Sequence, residues 1–386
     1  MKIYLNIKKS TTYKKLVHIN KFFKKKINLY EPIISKHDFV SVKKSLLNKE
    51  ISTYGSFTKI FEKKLKDFTK SKYVMCTNSG TSALHLALLA INVSNNDEVF
   101  MPAFSFVTAA NVIRYCNATP HFLEIDEDTL GIDPVELEKY LNNNFYYKKN
   151  KLINKKTKKQ VKALVAVHAY GHSPKMDDII RICKKFKLKV IEDAAEALGT
   201  YYKNRHAGTF GDIGILSFNG NKIITTGGGG AVLTNSKKLF AKMYNLGSLA
   251  KNKSFFDYNS VGYNYKMPSF NASLGISQMN TINLRLKKKR TLYKFYKNIF
   301  LKSDLGSLFL EPINCKSNFW LQTLIIKKNL INKRNKIVEM LRKKNIQAIP
   351  GWKLLSDMKH FKKYPKANLK KSRILSDSII NLPSNY

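Results

Sequence analysis

The chain has 386 residues, 44% hydrophobic and 12% aromatic, which excludes a collagen-like or disulfide-scaffold protein and opposes wholesale disorder, since its apolar surface can offset the entropy of ordering a large core. Its longest apolar stretches, such as Val161 to Tyr170 with Lys162 inside it, fall far short of the roughly 20 residues of a membrane span. A formal net charge of +43 invites a polyanion partner, yet only eight of the 69 basic residues are Arg, whose planar fork grips phosphate and guanine in two places, so a compositional Lys bias with no specific nucleic-acid partner is expected.

Met1 to Asn28 mixes Lys with short apolar runs and lacks the continuous hydrophobic segment of a secretory signal. It reads as a basic N-terminal extension (residues 1–28) in which Tyr13 to Phe23 forms a short amphipathic helix lying on the main body. From there helix-like and strand-like segments alternate. Phe57, Ile60, Phe61, Leu65 and Phe68 recur at a helical period. A strand at Lys72 to Cys76 leads through the turn Thr77-Asn78-Ser79-Gly80 into an apolar helix at Thr81 to Ala90. Further strands are predicted at Glu98 to Met101, His121 to Ile125, Lys162 to His168, Leu188 to Glu192, Ile213 to Phe218 and Ala231 to Thr234, with a helix at Asp177 to Phe186 among them. Asn142 to Gln160, rich in Asn and Lys, reads as a solvated excursion. Continuous apolar strands separated by helices predict an α/β domain with a mostly parallel sheet covered on both faces, over residues 29–275. A long basic helix at Ile276 to Phe300, a strand at Phe319 to Ile326, a helix at Lys333 to Lys343 and a tail ending Asn381-Leu382-Pro383 predict a smaller C-terminal α/β domain over residues 276–386. Cys76, Cys116, Cys183 and Cys315 lie apart, without a CxxC pair or a His at metal spacing, which suits a reducing, cytoplasmic setting and no metal centre.

Ligands collect at the carboxyl ends of strands in α/β sheets, and four segments with chemical potential fall there. Ser79-Gly80-Thr81-Ser82 joins a strand to a helix, where free N–H groups and hydroxyls suit a phosphate; an ordinary N-cap explains it equally. Glu192-Asp193 puts two carboxylates at the end of a buried strand. Asp193, followed by small residues, could accept a hydrogen bond from a protonated ring nitrogen, or cap a following helix. Lys222 sits in an apolar, turn-rich segment, where partial desolvation would free its amine for a Schiff base; the alternative is one more solvated lysine. Phe106, after the strand ending near Pro102, could stack on a planar cofactor or belong to the core. The Gly227-Gly228-Gly229-Gly230 run lacks the order of a phosphate loop. Taken together, lysine nucleophile, acidic partner for a ring nitrogen, phosphate-binding helix start and stacking aromatic make up a site for pyridoxal 5′-phosphate.

The run Gly211 to Gly230, with Ser217-Phe218-Asn219-Gly220-Asn221-Lys222 at its centre, closely resembles the signature of the DegT/DnrJ/StrS-type sugar-nucleotide aminotransferases, fold-type I enzymes that use pyridoxal phosphate. Leu29-Tyr30-Glu31-Pro32, Asn78-Ser79-Gly80-Thr81-Ser82-Ala83-Leu84, Glu192-Asp193-Ala194-Ala195-Glu196-Ala197-Leu198-Gly199, Gly262-Tyr263-Asn264-Tyr265-Lys266-Met267-Pro268 and Asn381-Leu382-Pro383-Ser384 extend the resemblance over nearly everything after residue 28. It implies that Lys222 carries the cofactor and shuttles protons, that Asp193 keeps the pyridine nitrogen protonated, and that Phe106 stacks on the ring. Gly80, Thr81 and Ser217 would bind the phosphate, Asn264 would reach that phosphate from the other subunit of a homodimer, and Glu196 would lie near cofactor and substrate.

Asn-Gly-Asn-Lys followed by Ile-Ile-Thr-Thr, and Ile153-Asn154-Lys155-Lys156-Thr157, look most like the branch that aminates C4 of UDP-4-keto-6-deoxy-N-acetylglucosamine on the way to bacillosamine- or legionaminic-acid-type sugars, with L-glutamate as donor. The GDP-linked perosamine-forming activity shares the machinery, and a noncatalytic relative would keep the fold; an intact Lys222 speaks against the latter. Two departures from the branch stand out. Ile349-Pro350-Gly351-Trp352 replaces an Arg-Pro-x-Trp pattern, and Lys266 stands where relatives tend to have Arg, losing a bidentate grip.

Overall fold

The computed structural model describes residues 10–23, 26–252, 257–258 and 260–385; Lys24 and Lys25 of the basic extension lie outside the described residues. Helix α1 (Thr11–Phe23) seats Tyr13 and Leu16 in an apolar cluster with Tyr293, Phe300 and Leu308, so this helix lies on the body as expected. Helix α2 (Lys36–Leu47) starts where Asp38 Oδ2 accepts the Ser35 N–H at 2.7 Å. Helix α3 (Ser56–Thr69) buries Phe57, Phe61 and Leu65 along one face.

The central sheet then builds up through β1 (Tyr73–Thr77), α4 (Gly80–Ala90), β2 (Asp97–Pro102), α5 (Thr108–Tyr115), β3 (Thr119–Leu123), α6 (Pro134–Asn144), β4 (Phe145–Lys148), β5 (Lys151–Asn154), β6 (Gln160–Val167), α7 (Met176–Lys185), β7 (Lys189–Asp193), the short β8 (Tyr201–Tyr202) and β9 (Arg205–His206), β10 (Ile213–Ser217), β11 (Gly230–Thr234) and α8 (Lys237–Gly247). Its order is β1-β11-β10-β7-β6-β2-β3, with β5 also on β6 and β4 on β5. From β10 to β3 the pairing is parallel, while β11 runs antiparallel to both neighbours. The result is a mixed, mostly parallel sheet, and the carboxyl ends of β1, β10, β7 and β2 share one edge. Helix α4 is apolar all round because it is enclosed: Ala83, Leu84, Leu86, Ala87 and Leu88 have no exposed surface.

The chain continues through α9 (Ser269–Asn280), α10 (Ile282–Phe300), β12 (Gly306–Leu308), β13 (Cys315–Lys316), β14 (Gln322–Ile326), α11 (Arg334–Arg342), β15 (Ile349–Pro350), α12 (Lys370–Ser378) and β16 (Ile379–Leu382). Strands β12-β14-β16-β15 form a second, antiparallel sheet. Phe309, Trp320, Leu354, Phe361 and Ile379 belong to the same apolar cluster as the central sheet, so the two sheets meet through a continuous core that floors a cleft. Among the described residues no helix is long and apolar enough to cross a membrane.

Three expectations change. Asn142 to Gln160 is not a solvated excursion: β4 and β5 form a hairpin on the edge of the sheet, with Phe145 and Leu152 buried. Its polar residues serve a buried carboxylate, since Glu98 Oε2 accepts from Asn154 Nδ2 at 3.0 Å and meets His121 Nδ1 at 2.7 Å, and Oε1 accepts the Thr157 hydroxyl. The single helix expected at Ile276 to Phe300 is two, broken at Thr281 where the backbone leaves helical geometry (φ −108°, ψ 7°), so the expected boundary between residues 275 and 276 falls inside α9. The strand expected from Phe319 begins only at Gln322, because Phe319 turns the chain with a φ of 49°.

Candidate active site

Each strand end delivers one part of a cavity of about 460 Å3. After β1, Ser79 caps α4 by accepting the Ser82 N–H at 3.0 Å, which leaves the earlier N–H groups of Gly80 and Thr81 at the cavity that both residues line. A Cβ on Gly80 would lie 2.9 Å from Ser217 Cβ and 3.2 Å from its Oγ, so the helix start and the end of β10 come together only because residue 80 is Gly. At the end of β7 the alternation of a strand splits the two carboxylates. Glu192 points away, toward His168 Nε2 at 2.9 Å and the N–H groups of Gly208 and Gly211 at 2.8 and 2.7 Å. Burial pushes its pKa up, but these partners outweigh it and hold the group below the ordinary range. Asp193 lines the cavity, where among the described residues it accepts a short-range bond from Ala195 N–H at 3.2 Å, and burial pushes its pKa up against that bond and the opposing charge of Lys222. No helix follows it, which removes the capping explanation.

Lys222 is 13% exposed rather than solvated. Its Nζ lies 3.4 Å from Glu196 Oε1 and 4.1 Å from the centroid of the Trp320 ring, and its carbonyl accepts the Tyr30 hydroxyl. Glu196 Oε2 accepts the Tyr170 N–H at 2.9 Å; burial pushes its pKa up to about 7 despite the nearby Lys222 ammonium. Phe104 is the core aromatic after β2, whereas Phe106 is 57% exposed and presents its ring to the cavity. The N-cap explanation at Ser79 and the phosphate explanation at Gly80 and Thr81 hold side by side.

Seven of the eight residues singled out from sequence thus meet in one cavity: Gly80, Thr81, Phe106, Asp193, Glu196, Ser217 and Lys222. Asn264 does not line it. It is exposed beside Asn78, whose Nδ2 donates to its carbonyl at 3.2 Å. Sequence reasoning passed over Tyr30, Trp320 and Trp352 as site residues, although all three line the cavity and the chain has only two tryptophans, a signal that was available. Ile349 lines the cavity, and Lys266 Nζ packs 5.4 Å from the centroid of the Tyr244 ring.

The residues present fit pyridoxal phosphate. An anion cradle, a carboxyl whose cavity-facing side is not spent on protein partners, an unburied aromatic face and a sheltered amine surround a space of suitable size. Comparison with known proteins agrees. The solved structure of Helicobacter pylori PseC, an aminotransferase involved in pseudaminic acid biosynthesis, superposes with a TM-score of 0.83 at 29% identity over 93% of this chain and 94% of that one. Fold and site are those of a pyridoxal-phosphate-dependent sugar aminotransferase of fold-type I.

The chain belongs to the DegT/DnrJ/EryC1/StrS aminotransferase family, whose profile matches residues 32–386. It is 37% identical over 332 residues to EpsN of Bacillus subtilis (strain 168), which carries the name of a pyridoxal phosphate-dependent aminotransferase, covering 86% of this chain and 82% of that protein. It is 31% identical to the GDP-perosamine synthase of Escherichia coli O157:H7, covering 93% of each. It is 30% identical to the UDP-4-amino-4,6-dideoxy-N-acetyl-beta-L-altrosamine transaminase of Helicobacter pylori, covering 92% of this chain and 91% of that protein.

The raised pKa of Glu196 has a consequence for stability. The folded protein holds this proton more tightly than the unfolded chain does, so stability falls as pH rises from about 4.5 toward 7, and the cost is fully present above 7. Glu196→Gln keeps an acceptor for the Tyr170 N–H and removes the charge. The apoprotein variant is expected to be more stable than wild type above pH 7 by on the order of 2 kcal/mol and to lose that advantage as pH approaches about 4.5. Urea unfolding at a series of pH values checks this. Glu62, also pushed up to about 7 by burial, contributes a separate slope that this variant retains.

Proposed function

We propose that the protein transfers the amino group of L-glutamate to C4 of UDP-4-keto-6-deoxy-N-acetylglucosamine, as a cytoplasmic homodimer with shared active sites. The observation that carries the catalytic part is Lys222, sheltered between Glu196 and Trp320 at a cavity whose far walls are Asp193 and the Gly80–Ser217 cradle. When bound, pyridoxal phosphate supplies a conjugated ring that accepts the electron pair released at the amine-bearing carbon. The chain's own groups do the rest. Gly80, Thr81 and Ser217 hold the phosphate, and Phe106 covers one face of the ring. Asp193 keeps a proton on the ring nitrogen. Lys222 takes the proton from the donor carbon and delivers one to C4 of the sugar, which fixes the configuration of the new amine. Glu196, beside Nζ, orients the amine.

Asn264 would complete the cradle from a second copy. Its exposure supports this, as do the large apolar side chains Phe39, Val40, Leu47 and Tyr54, each more than 60% exposed. The UDP-linked substrate is favoured by the branch-like segments around Lys222 and Ile153 and by the similarity to the Helicobacter pylori transaminase. The GDP-linked alternative, 4-keto-6-deoxymannose, is favoured by the similarity to the perosamine synthase. Incubation of the purified holoenzyme with glutamate and each 4-keto sugar nucleotide in turn separates them. Amination of the UDP sugar at a kcat/KM at least about tenfold above that of the GDP sugar is expected, and the reverse preference overturns the UDP assignment.

A further inference from the structure

Lys289 lies on α10 behind the cavity, with no exposed surface. Its Nζ donates to the carbonyl oxygen of Trp320 at 3.0 Å and to that of Ser384, and it sits 4.3 Å from the centroid of the Tyr30 ring. An amine is costly to bury unless its donors are satisfied, and an apolar side chain of the same length would fill this space without that cost. The groups that Lys289 gathers explain its presence. They come from three segments remote in sequence: the stretch before α2, the turn before β14 and the tail after β16. Two of them end on Lys222. The Tyr30 hydroxyl donates to the Lys222 carbonyl, and the Trp320 ring covers Lys222 Nζ while its Nε1 donates to Asn221 O at 2.5 Å. The third is tied across the other two, since Ser384 N–H donates to Leu29 O at 2.7 Å and Ser384 Oγ accepts the Gln322 N–H at 2.8 Å.

We propose that Lys289 is a positioning residue for the reacting amine: by joining the Trp320 and Ser384 carbonyls beneath the Tyr30 ring, it sets the indole and the phenol that hold Lys222 at both ends. The ammonium and the neutral amine both have the two donors required, so the role does not depend on charge. The inference rests on Lys222 as the reacting lysine.

The test uses the full chain with Lys289→Met, which keeps the side chain's length and removes its donors, alone and together with Trp320→Phe. In the apoenzyme with Trp352→Phe, Trp320 is the one tryptophan left, and Lys289→Met is expected to red-shift its emission and increase its quenching by acrylamide. In the holoenzyme kcat is expected to fall about tenfold with the sugar KM within about twofold, because misplacing the amine acts on turnover rather than on ground-state binding. Since Lys289 acts in part through the Trp320 indole, its substitution should lower kcat less in the Trp320→Phe background than in the wild-type one. A lowered thermal midpoint with Trp320 emission and kcat unchanged, or two substitutions whose effects multiply independently, overturns the proposal. Should Lys289→Met fail to fold, Lys289→Gln, one bond shorter and unable to span both carbonyls, carries the emission test, and unchanged Trp320 emission there overturns it too. Turnover retained in Lys222→Ala would instead overturn the assignment of Lys222, whatever Lys289 does.

Discussion

Lys222→Ala is expected to reduce turnover more than about a thousandfold and to abolish the visible absorption band of the bound cofactor, while the apoprotein keeps a thermal midpoint within a few degrees of wild type. The size of the first effect follows from removing the group proposed both to carry the cofactor and to move the proton, for which no neighbour substitutes. Glu196 cannot, since a carboxyl has no amine with which to carry the cofactor, and Tyr30 reaches only the carbonyl of residue 222. The smallness of the second follows from where the side chain lies. Lys222 lines a cavity rather than the core, and its loss strips Glu196 of the ammonium that opposed its protonation. The carboxyl then binds its proton more tightly and avoids standing as an uncompensated buried charge. Absorption spectra of the reconstituted variant and its turnover with glutamate and the preferred sugar nucleotide check both parts. An unchanged band with unchanged turnover would remove Lys222 from the reaction.

The residues that sequence could place are those whose chemistry demands a particular type at a backbone turn. Gly80 is required by the approach of Ser217, Asp193 by the end of a buried strand, and Lys222 by an apolar segment unlike the chain's many lysine runs. Strand ends translate short spacings into a shared edge, so these residues were legible without knowing the sheet order. What stayed hidden depends on contacts remote in sequence. Tyr30 meets Lys222 across 192 positions and Trp320 meets Asn221 across 99, and no local pattern marks either pair. The hairpin at Phe145 to Asn154 was misread for a related reason. Its Asn and Thr satisfy the buried Glu98 and His121 rather than water, so polarity there reports an interior partner. The break at Thr281 has no Gly or Pro to mark it, and it ends the helix, α9, that packs against α2 and α3, partners 200 or more residues away in sequence.

Asp193→Asn should move stability and activity in opposite directions. In the apoprotein Asp193 is a buried carboxyl with its pKa raised by burial, partly offset by the Ala195 N–H and by the charge of Lys222. A group whose folded pKa is raised costs stability once the pH is above that value, and the cost fades as the pH falls below it. Asn keeps the oxygen that accepts the Ala195 N–H and carries no charge, so the variant apoprotein is expected to resist urea better than wild type at neutral and alkaline pH and to lose that advantage in acid. Catalysis requires the charge that stability disfavours. In the proposed role a carboxylate at this position would hold a proton on the ring nitrogen, and an amide has neither the charge nor the basicity to do so. Turnover is therefore expected to fall about a hundredfold or more, with the phosphate cradle of Gly80, Thr81 and Ser217 still binding the cofactor. On the proposed role, the carboxylate that destabilises the apoprotein would find its partner only when the cofactor is in place. Equal loss of cofactor affinity and turnover would place Asp193 in binding alone. A gain in apoprotein stability with turnover intact would remove it from the reaction altogether.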